Sequence, residues 1–216
     1  MKQILMVGAG SVGGFFGAHF SKANIPVSFL LRPKTLAAVR QNGLTIRSAQ
    51  GSFTVHPPAS SDPRDLPKPD LIILSVKAYD LDAVLTQIEP VLTNRTVILT
   101  LQNGVDTEDR IVARLHRDCV VGGIAYIYSK IAEPGVIDHY KKGAVAIGEM
   151  MGHHSARLLA IEDLFKQAKI PCQLADDIRR SKWEKLCWNC VFNPLTVLID
   201  DKVAKALDHP EMLRVI

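Results

Sequence analysis

The sequence QILMVGAGSVGGFFGAHFSK, at residues 3–22, joins a short apolar run to an amphipathic stretch through a cluster of glycines. The apolar run at residues 3–7 predicts a β-strand, and residues 12–22 predict a helix. Between them, glycines at the first, third and sixth positions of residues 8–13 give the spacing G-x-G-x-x-G. A strand that enters a helix through such a turn opens a doubly wound α/β sheet. We therefore predict an α/β protein of Rossmann type with a mainly parallel sheet.

Beyond this unit, apolar runs keep alternating with amphipathic segments. Further strands are predicted at residues 27–31, 71–76, 97–101, 119–128, 135–139, 144–147 and 172–175. Further helices are predicted at residues 35–42, 81–88, 108–115 and 156–168. Such alternation favours a parallel sheet with helices on both faces. From residue 177 onward the pattern is helical, so we place a domain boundary near residue 176.

Two segments depart from this alternation. Residues 44–47 and 53–56 predict a β-hairpin around Gly51. Residues 57–69 contain five prolines, and we predict a loop there.

Length and composition describe a chain that can bury a core. Hydrophobic residues make up 47% of the 216 positions and the net charge is only +4, which argues against a disordered chain. The basic runs are too short to predict nucleic-acid binding. No segment has the unbroken apolar length of a membrane span. Because the sequence shows no export signal, we expect a reduced, cytoplasmic compartment for its four cysteines.

Two of those cysteines, Cys187 and Cys190, have the spacing Cys-x-x-Cys. A structural zinc site needs four ligands, and no second pair has suitable spacing. On a helix the two thiols lie about one turn apart among apolar residues. We therefore expect buried, inert cysteines and no metal site.

The glycine-rich turn predicts a dinucleotide site. The first glycine permits the tight turn, the second lets the backbone approach a pyrophosphate, and the third lets helix and strand pack closely. The N-terminus of the helix supplies free N–H groups and the positive end of its dipole. The residues expected to contact the dinucleotide here are Gly8, Ala9, Gly10, Ser11, Val12 and Gly13.

The end of the second predicted strand carries Arg32. Sites for NAD usually place an acidic residue here, which accepts a hydrogen bond from the ribose 2′-hydroxyl. A guanidinium instead binds a 2′-phosphate through paired hydrogen bonds. We therefore predict NADP rather than NAD as the cofactor, although an exposed arginine without a ligand is also common at a strand end.

Polar residues follow two other predicted strands. Lys77 follows the strand at residues 71–76, and Asn103 follows the strand at residues 97–101. Ligands of doubly wound sheets gather at the carboxyl ends of strands. Both side chains are therefore candidates to face the nicotinamide and the substrate, and Asn103 is a candidate for both cofactor and substrate binding.

A later segment, residues 183–194, spaces three polar side chains four residues apart: Lys185, Asn189 and Asn193. On a helix they share one face. Their neighbours are apolar or aromatic, so the polar groups need partners, either within a core network or on a substrate. A ketone that accepts hydride develops negative charge on oxygen, which a positioned ammonium stabilises and protonates. Lys185 is therefore the candidate general acid, and Pro194 disfavours ordinary helix at Asn193.

With these residues in view, the sequence resembles the ketopantoate reductase (2-dehydropantoate 2-reductase) family. The resemblance rests on the glycine turn with Arg32, on Val76-Lys77-Ala78, on Gln102-Asn103-Gly104, and on the run from Lys185 to Thr196. It implies NADPH-dependent reduction of ketopantoate to pantoate, a step toward pantothenate and coenzyme A. By motif position, it implies Lys185 as general acid, Asn103, Asn189 and Asn193 as substrate contacts, and Lys77 beside the nicotinamide.

The resemblance also sets an expectation for the end of the chain. Residues 1–176 correspond to the NADP-binding Rossmann-like domain, and residues 177–216 to the beginning of a helical substrate and dimerisation domain, truncated relative to the family. A homodimer is one expected assembly. Two alternatives stay open: a paralogue that reduces another small 2-keto acid, and a truncated, non-catalytic module that senses NADP.

Overall fold

A computed structural model describes residues 1–198 of the chain. The strands are β1 (Ile4–Val7), β2 (Val27–Leu30), β3 (Leu44–Ser48), β4 (Phe53–Val55), β5 (Ala59–Ser60), β6 (Leu71–Leu74), β7 (Val97–Thr100), β8 (Val120–Glu133), β9 (Val136–Glu149) and β10 (Cys172–Leu174). The helices are α1 (Ser11–Lys22), α2 (Pro33–Asn42), α3 (Leu81–Ile88), α4 (Thr107–Leu115), α5 (Ala156–Gln167) and α6 (Ile178–Leu198). The predicted helical region at residues 177–216 is thus described up to Leu198, and its remainder lies outside the described residues.

The strands form one mixed sheet in the order β4-β3-β9-β8-β7-β6-β1-β2-β5, and β10 also pairs with β9. Its centre is parallel: β1 lies between β2 and β6, and β7 joins β6 to β8. Every residue of β1, β2, β6 and β7 is buried. Apolar strands without alternation become parallel strands covered on both faces, so the predicted doubly wound, mainly parallel sheet is confirmed.

The core lies on both faces of the sheet. One cluster packs α1 and α5 against the sheet through aromatic residues that include Phe16, Phe20 and Phe165. The other packs α3 and α4 against the opposite face through residues that include Leu85 and Ile111. Within the described residues, no helix is both long and apolar enough to cross a membrane.

The proline-rich segment at residues 57–69 is more ordered than the predicted loop. Ala59–Ser60 forms β5, which pairs in parallel with the outer edge of β2, and Pro63–Asp65 forms a short 3-10 turn. A strand of two residues is too short to leave an alternating pattern in the sequence. The loop prediction was therefore wrong for these five residues.

The block that follows α4 forms two long strands rather than three short ones. β8 and β9 pair antiparallel over their length, with irregularities near Tyr126, Tyr128 and Ile131. Polar residues 140–143 broke the apolar pattern, yet they continue β9. The predicted hairpin of β3 and β4 is confirmed, and β3 pairs in parallel with β9 at the far edge of the sheet.

Candidate active site

The glycine turn lies between β1 and α1, where Gly8 has a φ of +92°. Gly13 faces the adjacent strand end so closely that a Cβ would lie 1.9 Å from Ser75 Oγ and 2.5 Å from the Gly8 carbonyl oxygen. Ser75 Oγ donates a hydrogen bond to the Val7 carbonyl at 2.9 Å, which fixes it in this position. A side chain at position 13 would therefore force the helix away from the sheet.

Gly10 differs from Gly13, because a Cβ at position 10 would meet no atom within 4 Å. Gly10 caps the N-terminus of α1 without a side-chain hydrogen bond, and the first turn contains no acidic residue. The first N–H groups of a helix have no partner within the helix. The turn therefore offers open space, free donors and a positive dipole end, which fit the pyrophosphate of a dinucleotide.

The ends of four neighbouring strands are joined edge to edge beside this turn. Gly8 N–H donates to the Leu30 carbonyl, Ser75 N–H to that of Val7 and Leu101 N–H to that of Leu74. Gln102 Nε2 then donates to the Val76 carbonyl at 2.9 Å. The segments that carry Lys77 and Asn103 thus leave the same edge of the sheet as the glycine turn.

Arg32 stands directly after β2, and its side chain is 72% exposed. Its Nη2 lies 2.5 Å from Oδ2 of Asp80, which belongs to the 3-10 turn Ala78–Asp80. Asp80 was not predicted as a site residue, since 48 positions separate it from Arg32. The guanidinium therefore already holds a carboxylate, and an incoming phosphate must share or displace that partner.

Lys185 of α6 reaches the same edge of the sheet. Its Nζ donates to Asn103 Oδ1 at 3.1 Å and to the Ala125 carbonyl at 3.0 Å, and it lies 5.8 Å from the centre of the Tyr126 ring. Burial, with a smaller contribution from the positive charge of Lys182, lowers the pKa of Lys185 to about 8. A lysine with this pKa exchanges its proton near neutrality, as an acid catalyst must.

A small cavity surrounds this amine. It is lined by residues that include Gln102, Asn103, Lys182, Lys185 and Asn189. Three of the predicted site residues thus come together: Asn103, Lys185 and Asn189.

Asn193 and Lys77 do not line that cavity. Both are exposed. Asn193 remains helical, because α6 continues through Pro194 to Leu198. The expected break in the helix at Asn193 is therefore wrong.

Sequence reasoning missed a buried ion pair behind the cavity. Lys182 Nζ donates to Glu108 Oε1, which also accepts a hydrogen bond from Thr100 Oγ1. The side chains of Lys182 and Glu108 are 4% and 0% exposed. One signal was present: Lys182 precedes Lys185 by three residues, and so lies near the same helix face.

The outer surface of α6 exposes aromatic rings and thiols. Trp183 and Trp188 are 56% and 55% exposed, and Cys187 and Cys190 are exposed free thiols. The expectation of buried cysteines was wrong, because an apolar pattern does not tell whether a partner covers it. Among the described residues, no group of three His, Cys, Asp or Glu side chains could hold a metal ion.

Known proteins with similar sequences and structures place this chain in a family. The family model described as "Ketopantoate reductase PanE/ApbA" matches residues 4–152, and its C-terminal counterpart matches residues 177–216. The 2-dehydropantoate 2-reductase of Nostoc sp. is 30% identical over 205 residues. That alignment covers 92% of this chain but 64% of the Nostoc protein, so the chain spans less than two thirds of that relative.

Solved structures agree with this placement. The crystal structure of 2-dehydropantoate 2-reductase from Geobacter metallireducens GS-15 has a TM-score of 0.90 and 32% identity, and covers 97% of this chain and 70% of that one. A D-mandelate dehydrogenase solved with NADH and anilino(oxo)acetate has a TM-score of 0.82 at 23% identity, covering 93% of this chain and 65% of that one, which shows a shared fold. The predicted resemblance to this family is therefore confirmed, and the chain belongs to the ketopantoate reductase PanE/ApbA family.

Proposed function

We propose that this chain forms the cofactor-binding part and the general acid of an NADPH-dependent ketopantoate reductase. The observation that carries the proposal is the partly desolvated Lys185 amine, hydrogen-bonded to Asn103 at the sheet edge where the glycine turn opens. The product of such a reaction is pantoate, on the route to pantothenate and coenzyme A. A cytoplasmic location agrees with that route.

The cofactor is held by groups of the first strand-to-helix turn. The N–H groups at the start of α1 bind the pyrophosphate, with Gly10 leaving room for its approach. Arg32 binds the 2′-phosphate. The phosphate either displaces Asp80 from the guanidinium or binds beside it, because a guanidinium presents several donors. Lys77, which is exposed and follows β6, would contact the nicotinamide. When bound, the reduced nicotinamide supplies the hydride.

Lys185 acts on the substrate oxygen. Its ammonium form stabilises the negative charge that develops on the ketone oxygen and then donates a proton to it. Asn103 accepts a hydrogen bond from the amine and so orients it. Asn189 in the cavity wall and Asn193 one turn further along α6 bind the carboxylate and hydroxyl groups of the substrate.

The proposal assigns different roles to two consecutive parts of the chain. Residues 1–176 form the NADP-binding domain, and residues 177–216 begin a helical domain that contributes to substrate binding and to a homodimer. Support comes from the separate family match to residues 177–216 and from α6, which begins at Ile178.

The test is oxidation of NADPH with ketopantoate, followed by absorbance at 340 nm. Replacement of Lys185 by alanine is expected to lower kcat by about 10²–10⁴-fold. Lys166→Ala is the matched control, because Lys166 is an exposed lysine that pairs with Glu162 within α5, and it should leave the rate unchanged. Equal rates for Lys185→Ala and the unaltered chain would remove Lys185 from the mechanism.

Two other functions share the same site, and the same preparation separates them. A paralogue would turn over a different small 2-keto acid faster than ketopantoate in a panel of such acids. A non-catalytic sensor would bind NADPH, measured by fluorescence titration, without turnover of any keto acid. The cofactor assignment is tested with Arg32→Asp, which should shift preference from NADPH toward NADH.

A further inference from the structure

A buried ion pair between α4 and α6 stands directly behind the proposed acid. We propose, on the basis of the function proposed above, that Lys182 and Glu108 are positioning residues for Lys185. The pair fixes the helix that carries Lys185 in register with the Asn103 segment, and it places a second positive charge beside the Lys185 amine.

The pair connects three elements that meet at the cavity. Glu108 lies in the first turn of α4, Thr100 ends β7, and Lys182 lies in the second turn of α6. Glu108 Oε1 accepts hydrogen bonds from both Thr100 Oγ1 and Lys182 Nζ. Because these donors come from different elements, the carboxylate sets the position of α6 relative to the end of β7.

That position matters because the segment between β7 and α4 carries Asn103. Glu108 follows Asn103 by five residues, and Lys182 precedes Lys185 by three residues on α6. The same two segments are therefore joined twice, once by the pair and once by the hydrogen bond from Lys185 Nζ to Asn103 Oδ1 at 3.1 Å. A shift of α6 along its axis would break both contacts together.

Burial makes the pair an unusual way to join two helices. Both side chains are almost fully buried, and Glu108 Oε2 has no hydrogen-bond partner among the described residues. Buried ion pairs are frequently no more stabilising than apolar residues of similar volume. Stability alone is therefore a weak reason for this pair, whereas a fixed register and a fixed charge next to Lys185 need these groups.

Lys182 is the charged residue that most affects the pKa of the Lys185 amine. The groups that contact the Lys185 amine from β8 and from the β7–α4 segment are uncharged: the Ala125 carbonyl, the Tyr126 ring and the Asn103 amide. Lys182 lines the same cavity as Lys185, and its positive charge adds to burial in lowering the pKa of Lys185. Glu108 holds that charge in place.

The experiment replaces the pair by apolar residues in the double variant Glu108→Leu/Lys182→Met. The matched control is Asp109→Ala/Arg179→Ala, which removes an exposed ion pair between the same two helices. Two properties are measured: the pH dependence of acylation of Lys185, read by mass spectrometry on the cofactor-free protein, and the pH profile of kcat/KM. Circular dichroism establishes that each variant is folded.

In the double variant, the acylation midpoint of Lys185 should rise by on the order of 0.5–1 pH unit. Both charges of the pair are removed, but Lys182 is the one that contributes to the lowered pKa of Lys185. The basic limb of kcat/KM should move by the same amount, and kcat at pH 7 should fall by about tenfold. The control should change neither midpoint, and Lys182→Arg, which keeps the charge, should retain the original midpoint. A folded double variant with the original midpoint and rate would overturn the proposal.

Two further results are informative. If the double variant does not fold, Glu108→Gln/Lys182→Gln removes both charges while keeping polar groups, and the same midpoint shift is required of it. The acylation readout needs no turnover. A shifted midpoint in a chain that reduces no keto acid would therefore support the positioning role while rejecting the proposed reductase activity.

Discussion

At Lys185, the physical property that matters is the cost of keeping an ammonium in a partly buried place. Burial lowers its pKa to about 8, while Asn103 Oδ1 and the Ala125 carbonyl still accept hydrogen bonds from it. The amine is therefore held in place but gives up its proton readily. This combination suits a group that donates a proton to an alkoxide near neutral pH.

A pH dependence follows from this value. A general acid must carry its proton, so kcat/KM should be level below pH 8 and fall about tenfold per pH unit above it. The measurement is kcat/KM for NADPH-dependent reduction between pH 6 and pH 10. In Lys185→Arg the guanidinium stays protonated, so the residual activity should not show this fall above pH 8. A wild-type profile that rises above pH 8 would contradict the assignment of Lys185 as the acid.

The second and third glycines of the G-x-G-x-x-G turn, Gly10 and Gly13, are predicted to behave differently when replaced by alanine. Gly13→Ala places a Cβ against Ser75 Oγ and the Gly8 carbonyl, so the free energy of unfolding should fall by about 1–3 kcal/mol. Gly10→Ala meets no neighbouring atom and should leave stability within about 0.5 kcal/mol, but weaken NADPH binding at least tenfold. Urea unfolding and cofactor titration on both variants measure this. Equal stability of the two variants would show that the close approach at Gly13 is not needed.

At the scale of elements, local patterns in the sequence predicted the central sheet, because buried parallel strands leave continuous apolar runs. They missed β5, which has two residues, and they divided β9 at its polar residues 140–143. The glycine turn, Arg32 and Lys185 could be named as candidates from the sequence, because the pattern that points to each lies within a few positions. The partners Asp80 and Glu108 could not, since they lie 48 and 74 positions from the residues they bind.

A second ion pair holds α5 against β9, and the loss of this pair should destabilise the fold. Glu149 is 2% exposed and accepts two hydrogen bonds from Arg157, at 2.7 and 2.6 Å. Arg157→Leu leaves that carboxylate buried without its charged partner. The free energy of unfolding, measured in urea at pH 7, should therefore fall by about 3–5 kcal/mol. Lys166→Ala, which removes an exposed pair in the same helix, should cost less than about 1 kcal/mol. A loss of that small size for Arg157→Leu would reject the argument.

The Glu149–Arg157 pair also predicts how the difference in stability between wild type and Arg157→Leu changes with pH. Burial alone would raise the pKa of Glu149, but hydrogen bonds from Arg157 and Ser155 outweigh it and lower the pKa below its usual 4.5. The stabilisation is therefore present above pH 4.5 and is lost as the pH falls through the lower, folded-state value. The difference in free energy of unfolding between wild type and Arg157→Leu should therefore become smaller at acid pH.

For the molecule as a whole, the question is whether α6 unfolds together with the sheet. The sheet and α1–α5 share two large cores, whereas Ile178 of α6 joins a small cluster with Ile124 and Ala146. Few buried apolar residues hold α6, and its two tryptophans are more than half exposed. Local stability follows such differences in buried contact.

Both tryptophans of the chain, Trp183 and Trp188, lie in α6, so their fluorescence reports this helix while far-ultraviolet circular dichroism reports the whole fold. In urea, the fluorescence midpoint should therefore come at lower denaturant than the dichroism midpoint. Arg157→Leu should move the dichroism midpoint toward the fluorescence midpoint, because it weakens the sheet and α5 without touching α6. Coincident midpoints in the wild-type chain would mean that α6 belongs to the same cooperative unit, and the proposed boundary near residue 176 would not separate two units of stability.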